Sequence, residues 1–363
     1  MTAEGTLAVR LAVEGGRVAS VGISSTRPLR AARVLAARAP DDVLRLAPLL
    51  FPVCGTAHGV ACARALEDAL GQTPDARLEV ARDVACLCEA AVSHAWQLAI
   101  AWREAAGVPA DTASVRTVRR AFDDLRAALF EGRAATAPLR AAPAFIDARS
   151  SVVALLEVLD ELCLGEASLL SVVRRSGRSA FGSGGIATIA ALDRASIGRL
   201  LEADPAFGDH PLLDGAPVDV SAYARQRDSD AVRSVEAEHG GGLMARLVAR
   251  RVDAKDDATR LAARFGELER GVAKDRPSRA SSGTGVGSAR TARGPLVYWV
   301  HAGSGSVEDV RVVAPTDWTF HPRGILHEAL LGTEAAPTLE RDAGWLILAL
   351  DPCVPWTVEV RDA

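Results

Sequence analysis

Apolar and polar positions alternate along Leu7-Ala8-Val9-Arg10-Leu11-Ala12-Val13-Glu14 and resume after Gly15-Gly16 at Arg17-Val18. A period of two around a Gly-Gly turn predicts a β-hairpin. The period then changes. Apolar residues recur at helical spacing over 57–70, 83–105, 114–129 and 150–170, which predicts helices there. A short helix is expected over 196–201. The stretch 230–272 reads as one or two long helices interrupted at Gly240-Gly241-Gly242. Phe181-Gly182-Ser183-Gly184-Gly185 lacks the Lys-Ser/Thr that completes a phosphate loop and reads as a flexible turn. Residues 276–287 are rich in Ser, Gly and Arg and read as a loop or linker. β patterning returns at 296–300, 307–313 and 345–350. The expected fold class is α+β: a mainly α-helical body with a small β-sheet formed by the N- and C-terminal segments. One domain over 1–363 is expected. It divides into an N-terminal motif region 1–105, a helical middle 106–275, a flexible linker 276–292 and a C-terminal β and motif region 293–363.

Composition narrows the class. Apolar residues make up 49% of the chain but aromatics only 4%, so a large core has to be built mostly from Ala, Leu and Val. Lys255 and Lys274 are the only lysines among 42 basic residues, and 46 acidic residues leave a formal charge of -4. With no basic run, a nucleic-acid partner has little support. No apolar stretch stands out as a membrane span. Met1-Thr2-Ala3-Glu4-Gly5 lacks the charged start and apolar follow-on of a signal peptide. Six cysteines without a secretion signal point to reduced thiols and a cytoplasmic protein.

The chemistry concentrates in two short motifs. One is Phe51-Pro52-Val53-Cys54-Gly55-Thr56-Ala57-His58, and the other is Asp351-Pro352-Cys353-Val354-Pro355-Trp356. Either cysteine alone would usually be a small buried hydrophobe. His58 follows Cys54 by four residues, so on a helix both would share a face and could chelate a metal. Cys62 lies one turn further on an Ala/Leu stripe and reads as core, as does Cys163 in an apolar helix. Cys86 and Cys88 would point about 160° apart on a helix. They would chelate together only if their segment were not helical.

Both motifs resemble edited versions of those of the NiFe hydrogenase large subunit, C-G-x-C-x-x-x-H near its start and D-P-C-x-x-C-x-x-H at its end. Further segments are similar, in the same order. They are Ala37-Arg38-Ala39-Pro40-Asp41-Asp42-Val43, Ser93-His94, Arg293-Gly294-Pro295-Leu296 and Ala314-Pro315-Thr316-Asp317-Trp318. The likeness covers roughly the first hundred and last seventy residues. Shortened members with incomplete cysteine motifs, the HupK/HoxV-type assembly proteins, fit the pattern best.

The resemblance implies a large-subunit-like fold and a degraded metal pocket. Phe51 and Trp356 stand where two of four thiolates would be, and Glu359 replaces the last histidine. Cys54 matches a bridging position and Cys353 a terminal nickel position. Two thiolates cannot complete a nickel-iron centre, which leaves a site for iron alone, since thiolates suit such soft metals. By the same resemblance, His58 supports the site through hydrogen bonding, as metal-site partners commonly do. The resemblance also implies a place for Arg293 beside the cyanide ligands, with Asp351 orienting it or merely capping a turn. A surface salt bridge is the plainer alternative for Arg293. Ser93 and His94 could bond the inner groups, although a satisfied helix histidine is commoner. Ala32 falls loosely where the family carries a proton-relaying acid, Tyr298 where it has a histidine, and Thr319 where it has an asparagine. After Glu359 only Val360 to Ala363 follow, so no cleavable extension is expected.

The resemblance to those assembly proteins implies a non-catalytic scaffold. It would hold an Fe(CN)2(CO) unit at Cys54 and Cys353, without nickel, and pass it to a hydrogenase large-subunit precursor. Iron-cofactor assembly proteins would be its other partners. Two rivals remain: a divergent hydrogenase-like metal oxidoreductase, and an interaction protein with vestigial cysteines.

Overall fold

The structure is a computed structural model that describes residues 5–362 except 27, 29, 142, 166–167, 272–282 and 304. Its opening hairpin pairs β1 (Leu7–Glu14) with β2 (Arg17–Ser25), and Gly15 and Gly16 take the positive φ that the tight turn demands. A helical body follows: α1 (Pro40–Leu50), α2 (Gly55–Ala69), α3 (Ala76–Trp96), α4 (Trp102–Ala105), α5 (Thr112–Leu129), α6 (Phe145–Leu164) and α7 (Ser168–Arg175). A π-turn over Gln97–Ala101 joins α3 to α4. Next come α8 (Arg194–Ala203), α9 (Ala222–Gln226), α10 (Asp230–His239) and α11 (Leu243–Arg270). A three-stranded meander, β3 (Thr284–Thr291), β4 (Gly294–Ala302) and β5 (Val307–Val313), leads into α12 (Pro315–Thr319), α13 (Ile325–Leu330) and α14 (Leu339–Leu350). The chain closes with β6 (Trp356–Asp362).

The two ends of the chain do meet in a sheet. β6 lies parallel to β1, with Trp356 opposite Leu7 and Val360 opposite Leu11, in the order β2-β1-β6. The β3-β4-β5 meander is a second, separate sheet rather than part of the first. Residues 345–350 are helix, not strand. They finish α14, where Trp345, Leu346, Ile347 and Leu350 are all buried. An apolar run of six residues fits a strand or a buried helix equally well, and the start of this helix lies back at Leu339. The helix expected over 150–170 ends at Leu164 and restarts at Ser168. The expected linker 276–292 divides. Residues 276–282 lie outside the described residues, whereas 284–291 form β3.

The glycines of that segment serve packing rather than flexibility. β3 runs directly against the alanine face of α2. A Cβ on Gly285 would lie 2.2 Å from the Ala65 carbonyl oxygen, and one on Gly287 2.0 Å from that of Ala61. Ala57, Ala61, Ala65 and Ala69 on α2 have no exposed surface. Small residues on both partners let strand and helix approach closely, which is how a core poor in aromatics closes. The run Ala76–Ala105 is long and apolar enough to cross a membrane, contrary to the sequence expectation, but 67% of its most apolar window is buried inside the fold.

Candidate functional site

Cys54 precedes the first turn of α2. Its φ of -135° is not helical, and its carbonyl accepts the His58 N–H at 3.0 Å. The expectation that Cys54 and His58 share a helix face is therefore replaced by a cap arrangement. Gly55 is required here, because a Cβ would sit 2.6 Å from the Pro48 carbonyl oxygen of α1. The next two amides, of Thr56 and Ala57, donate to the Glu89 carboxylate at 2.8 and 2.9 Å. Burial pushes the Glu89 carboxyl up, and these backbone donors only partly oppose it. The His58 ring is buried, with Nδ1 2.7 Å from the Tyr298 hydroxyl. Phe51 stacks on it at 3.8 Å between ring centres, tilted by 16°. Phe51 thus serves as a packing plate for the buried histidine.

At the other end, α14 stops at Asp351, whose left-handed φ of 59° reverses the chain. That turn sends Cys353 inward before β6 pairs with β1. Asp351 has no exposed surface. Its carboxylate accepts from Arg250 at 2.7 Å, from Arg293 at 3.0 Å and from the Gln97 amide. Burial alone would raise its pKa, but Arg250 and Arg293 outweigh that and hold the carboxyl below the usual carboxylate range. Arg293 also donates to the Asp351 carbonyl at 2.9 Å. Asp351 therefore both caps the helix and orients the arginine.

Arg293 sits in the tight turn between β3 and β4. Arg225 donates to its carbonyl at 2.8 Å, and Arg250 donates to the neighbouring Ala292 carbonyl at 2.8 Å. Arg250 so ties the Arg293 turn to the Asp351 turn. Burial works against the charge on Arg293, but Asp351, then Cys353 and Cys54, raise its pKa. The guanidinium stays charged next to both thiols.

These elements converge. Cys54, Cys353, Arg293 and His58 line one small cavity of about 50 Å3, with Phe51, Leu296 and Thr316 among its other walls. Cys353 Sγ lies 3.8 Å from Thr316 Oγ1. Both site cysteines are partly exposed, whereas Cys62, Cys86, Cys88 and Cys163 are buried. Burial pushes the Cys62 thiol up to about 12 and that of Cys163 to about 11, and it raises Cys86 and Cys88 as well. Those four are packing residues. Trp356 does not fill the cavity. It opens β6 and lays its ring against Gly344 of α14. Glu359 is half-exposed on β6 within 3.6 Å of Arg10. Ala32 is buried and offers no carboxylate.

His94 is not among the residues that line this cavity. Its Nε2 lies 3.0 Å from Asp257, and His94, Asp253 and Asp257 offer ligand atoms within 4.8 Å of one another. Arg225 and Arg290 already occupy those carboxylates, so the group is an ion-pair network rather than a cation site. Arg250, Gln97 and Arg225 were missed in the sequence. A signal existed: Arg246, Arg250, Asp253 and Asp257 recur at helical spacing on α11 among Leu243, Leu247, Ala254 and Leu261, and all are buried. A charged stripe on an apolar helix face marks a buried network.

No protein-family model matches the chain. Among solved structures, the Ni-Fe-Se hydrogenase of Desulfomicrobium baculatum aligns with a TM-score of 0.69 at 16% identity, covering 94% of this chain and 95% of that one. The Ni-Fe-Se hydrogenase of Desulfovibrio vulgaris Hildenborough aligns at 0.66 and 17% identity, covering 94% of both chains. The fold is therefore that of a NiFe(Se) hydrogenase large subunit, and at these identities the likeness speaks for the fold alone. Curated relatives span the full length. The hydrogenase expression/formation protein HupK of Azotobacter vinelandii is 30% identical over 376 residues, covering 99% of each chain. HoxV of Cupriavidus necator, with the same description, is 27% identical over 392 residues, covering 100% of this chain and 98% of its own. The chain belongs to this HupK/HoxV family of hydrogenase expression/formation proteins.

Proposed function

We propose that this protein serves hydrogenase maturation as a non-catalytic scaffold. It takes an Fe(CN)2(CO) unit as cargo between Cys54 and Cys353 and passes it to a hydrogenase large-subunit precursor. One observation carries the reading: two partly exposed cysteines from opposite ends of the chain line a single cavity beside a buried, charged arginine. Thiolates are suited to soft, low-spin iron, and each must give up its proton to bind. The Arg293 guanidinium supplies a permanent charge and several donors, fitted to cyanide nitrogens and to the thiolates. Asp351 and Arg250 fix its direction. Phe51 and Leu296 limit water. Two sulfurs hold the unit less firmly than four, which suits onward transfer. Phe51 offers no ligand and Trp356 turns to Gly344, so nickel lacks a donor set here.

Metal analysis tests this on protein purified anaerobically from cells that also make the maturation machinery. Iron approaching one equivalent per chain with negligible nickel is expected, and Cys54→Ser or Cys353→Ser should each remove most of the iron. Stoichiometric nickel, or iron indifferent to both substitutions, contradicts the reading.

A further inference from the structure

A second, much larger cavity shares a wall with the thiol cavity. It is a cleft of about 1210 Å3 running between α1, α3, α5 and the 352–356 turn, and Cys353 and Arg293 line both spaces. Its volume exceeds the roughly 300–1,000 Å3 typical of small-molecule pockets, so one iron unit would leave most of it empty. Its rim carries three exposed apolar side chains, Leu49 at 70%, Trp96 at 54% and Val53 at 42%. Apolar groups gathered at a cleft mouth mark a contact surface.

Its lining is rich in arginine: Arg45, Arg119, Arg126 and Arg293 line it, with Glu89 the one acidic residue among the described lining residues. Both Glu89 oxygens already accept backbone amides. The arginines are paired with Asp42, Asp123 and Asp351, which lie outside the lining, and Arg45 and Arg119 remain largely exposed at its edge, where they can also meet an acidic partner.

We propose that this cleft is the docking groove for an extended segment of a partner protein, one that combines large apolar side chains with acidic ones. The inference rests on the cargo reading for its purpose: a segment seated there reaches the wall shared with Cys353, where the iron unit would be handed over. Leu49, Val53 and Trp96 take the apolar side chains, and Arg45 and Arg119 the acidic ones. Aromatic and arginine side chains are the usual anchors of such interfaces.

Selection of a random peptide library on the full chain tests this without any iron. The enriched peptides should share acidic and large apolar residues. A synthetic peptide of that consensus should change the fluorescence of the exposed Trp96. Its affinity should fall at least about tenfold, near 1.4 kcal/mol, in Trp96→Ser and in Arg119→Gln. Ile146→Ser, on the exposed face of α6, should bind as wild type does. Cys54→Ser should also bind the peptide normally while failing to hold iron, which separates this proposal from the cargo reading. No enrichment, a basic or wholly polar consensus, or binding indifferent to both cleft substitutions would overturn it. So would sedimentation showing a dimer that Trp96→Ser dissociates, since the cleft would then belong to a second copy.

Discussion

Asp351 has no exposed surface yet keeps its charge, because Arg250 and Arg293 approach it from two elements while Gln97 donates from a third. Removing one partner of such a buried network leaves the others uncompensated. Asp351→Ala should therefore destabilise the fold by about 3–5 kcal/mol at neutral pH. The sign of the pH dependence follows from its lowered pKa. The stabilisation is full above the unfolded carboxyl value near 4 and is lost as the pH falls through the lower folded value. Urea unfolding across this range should show the gap between wild type and variant closing in acid. A gap below about 1 kcal/mol at pH 7, the scale of a surface pair, would refute the buried network. The motif residues of this site were legible in the sequence: Cys54, His58, Arg293, Asp351 and Cys353 all reach one corner of the fold. Arg250 and Gln97 were not, because nothing local in a helix says which distant turn its polar side chain will meet.

At the scale of elements, the contact of β3 with α2 does most to place the two cysteine motifs. α2 begins at Cys54, and β3 ends in the turn that carries Arg293. Gly285 and Gly287 set how closely they lie, and overpacking such a contact costs about 1–3 kcal/mol or more. Gly285→Ala should cost at least this much, since backbone atoms of Ala65 and Ala69 stand within 2.3 Å of the new Cβ. Chemical denaturation measures it directly, and an unchanged midpoint would show that the strand and helix are not in this register. Sequence reasoning read these glycines as linker. A glycine that admits a helix backbone and one that loosens a loop look alike until the partner is known. The strand assigned to 345–350 failed for a related reason: six apolar residues carry no period of their own. The hairpin, α2, α5 and the break between α10 and α11 were readable because each has a clear period bounded by glycine or a cap.

At the scale of the molecule, the fold is that of a NiFe(Se) hydrogenase large subunit, and motifs from both ends of the chain meet at one cavity. Ala32 lies buried with no carboxylate to relay protons, and Phe51 is stacked on His58. The purified protein should therefore show no hydrogen-dependent dye reduction above a metal-free control, and measurable turnover would favour the divergent-oxidoreductase reading instead. The family could be read from its motifs, but the middle of the chain could not be placed. Its contribution, Arg250 and the cleft walls of α5, comes only from tertiary contact.

If Cys54 and Cys353 together hold an iron unit carrying carbon monoxide and cyanide, infrared spectroscopy reads it most directly, because both ligands absorb where protein does not. Protein co-produced with the maturation machinery should show carbon monoxide and cyanide bands, and the Cys54→Ser/Cys353→Ser double variant should show none. No bands in the wild type, or bands that persist in the double variant, would contradict the account.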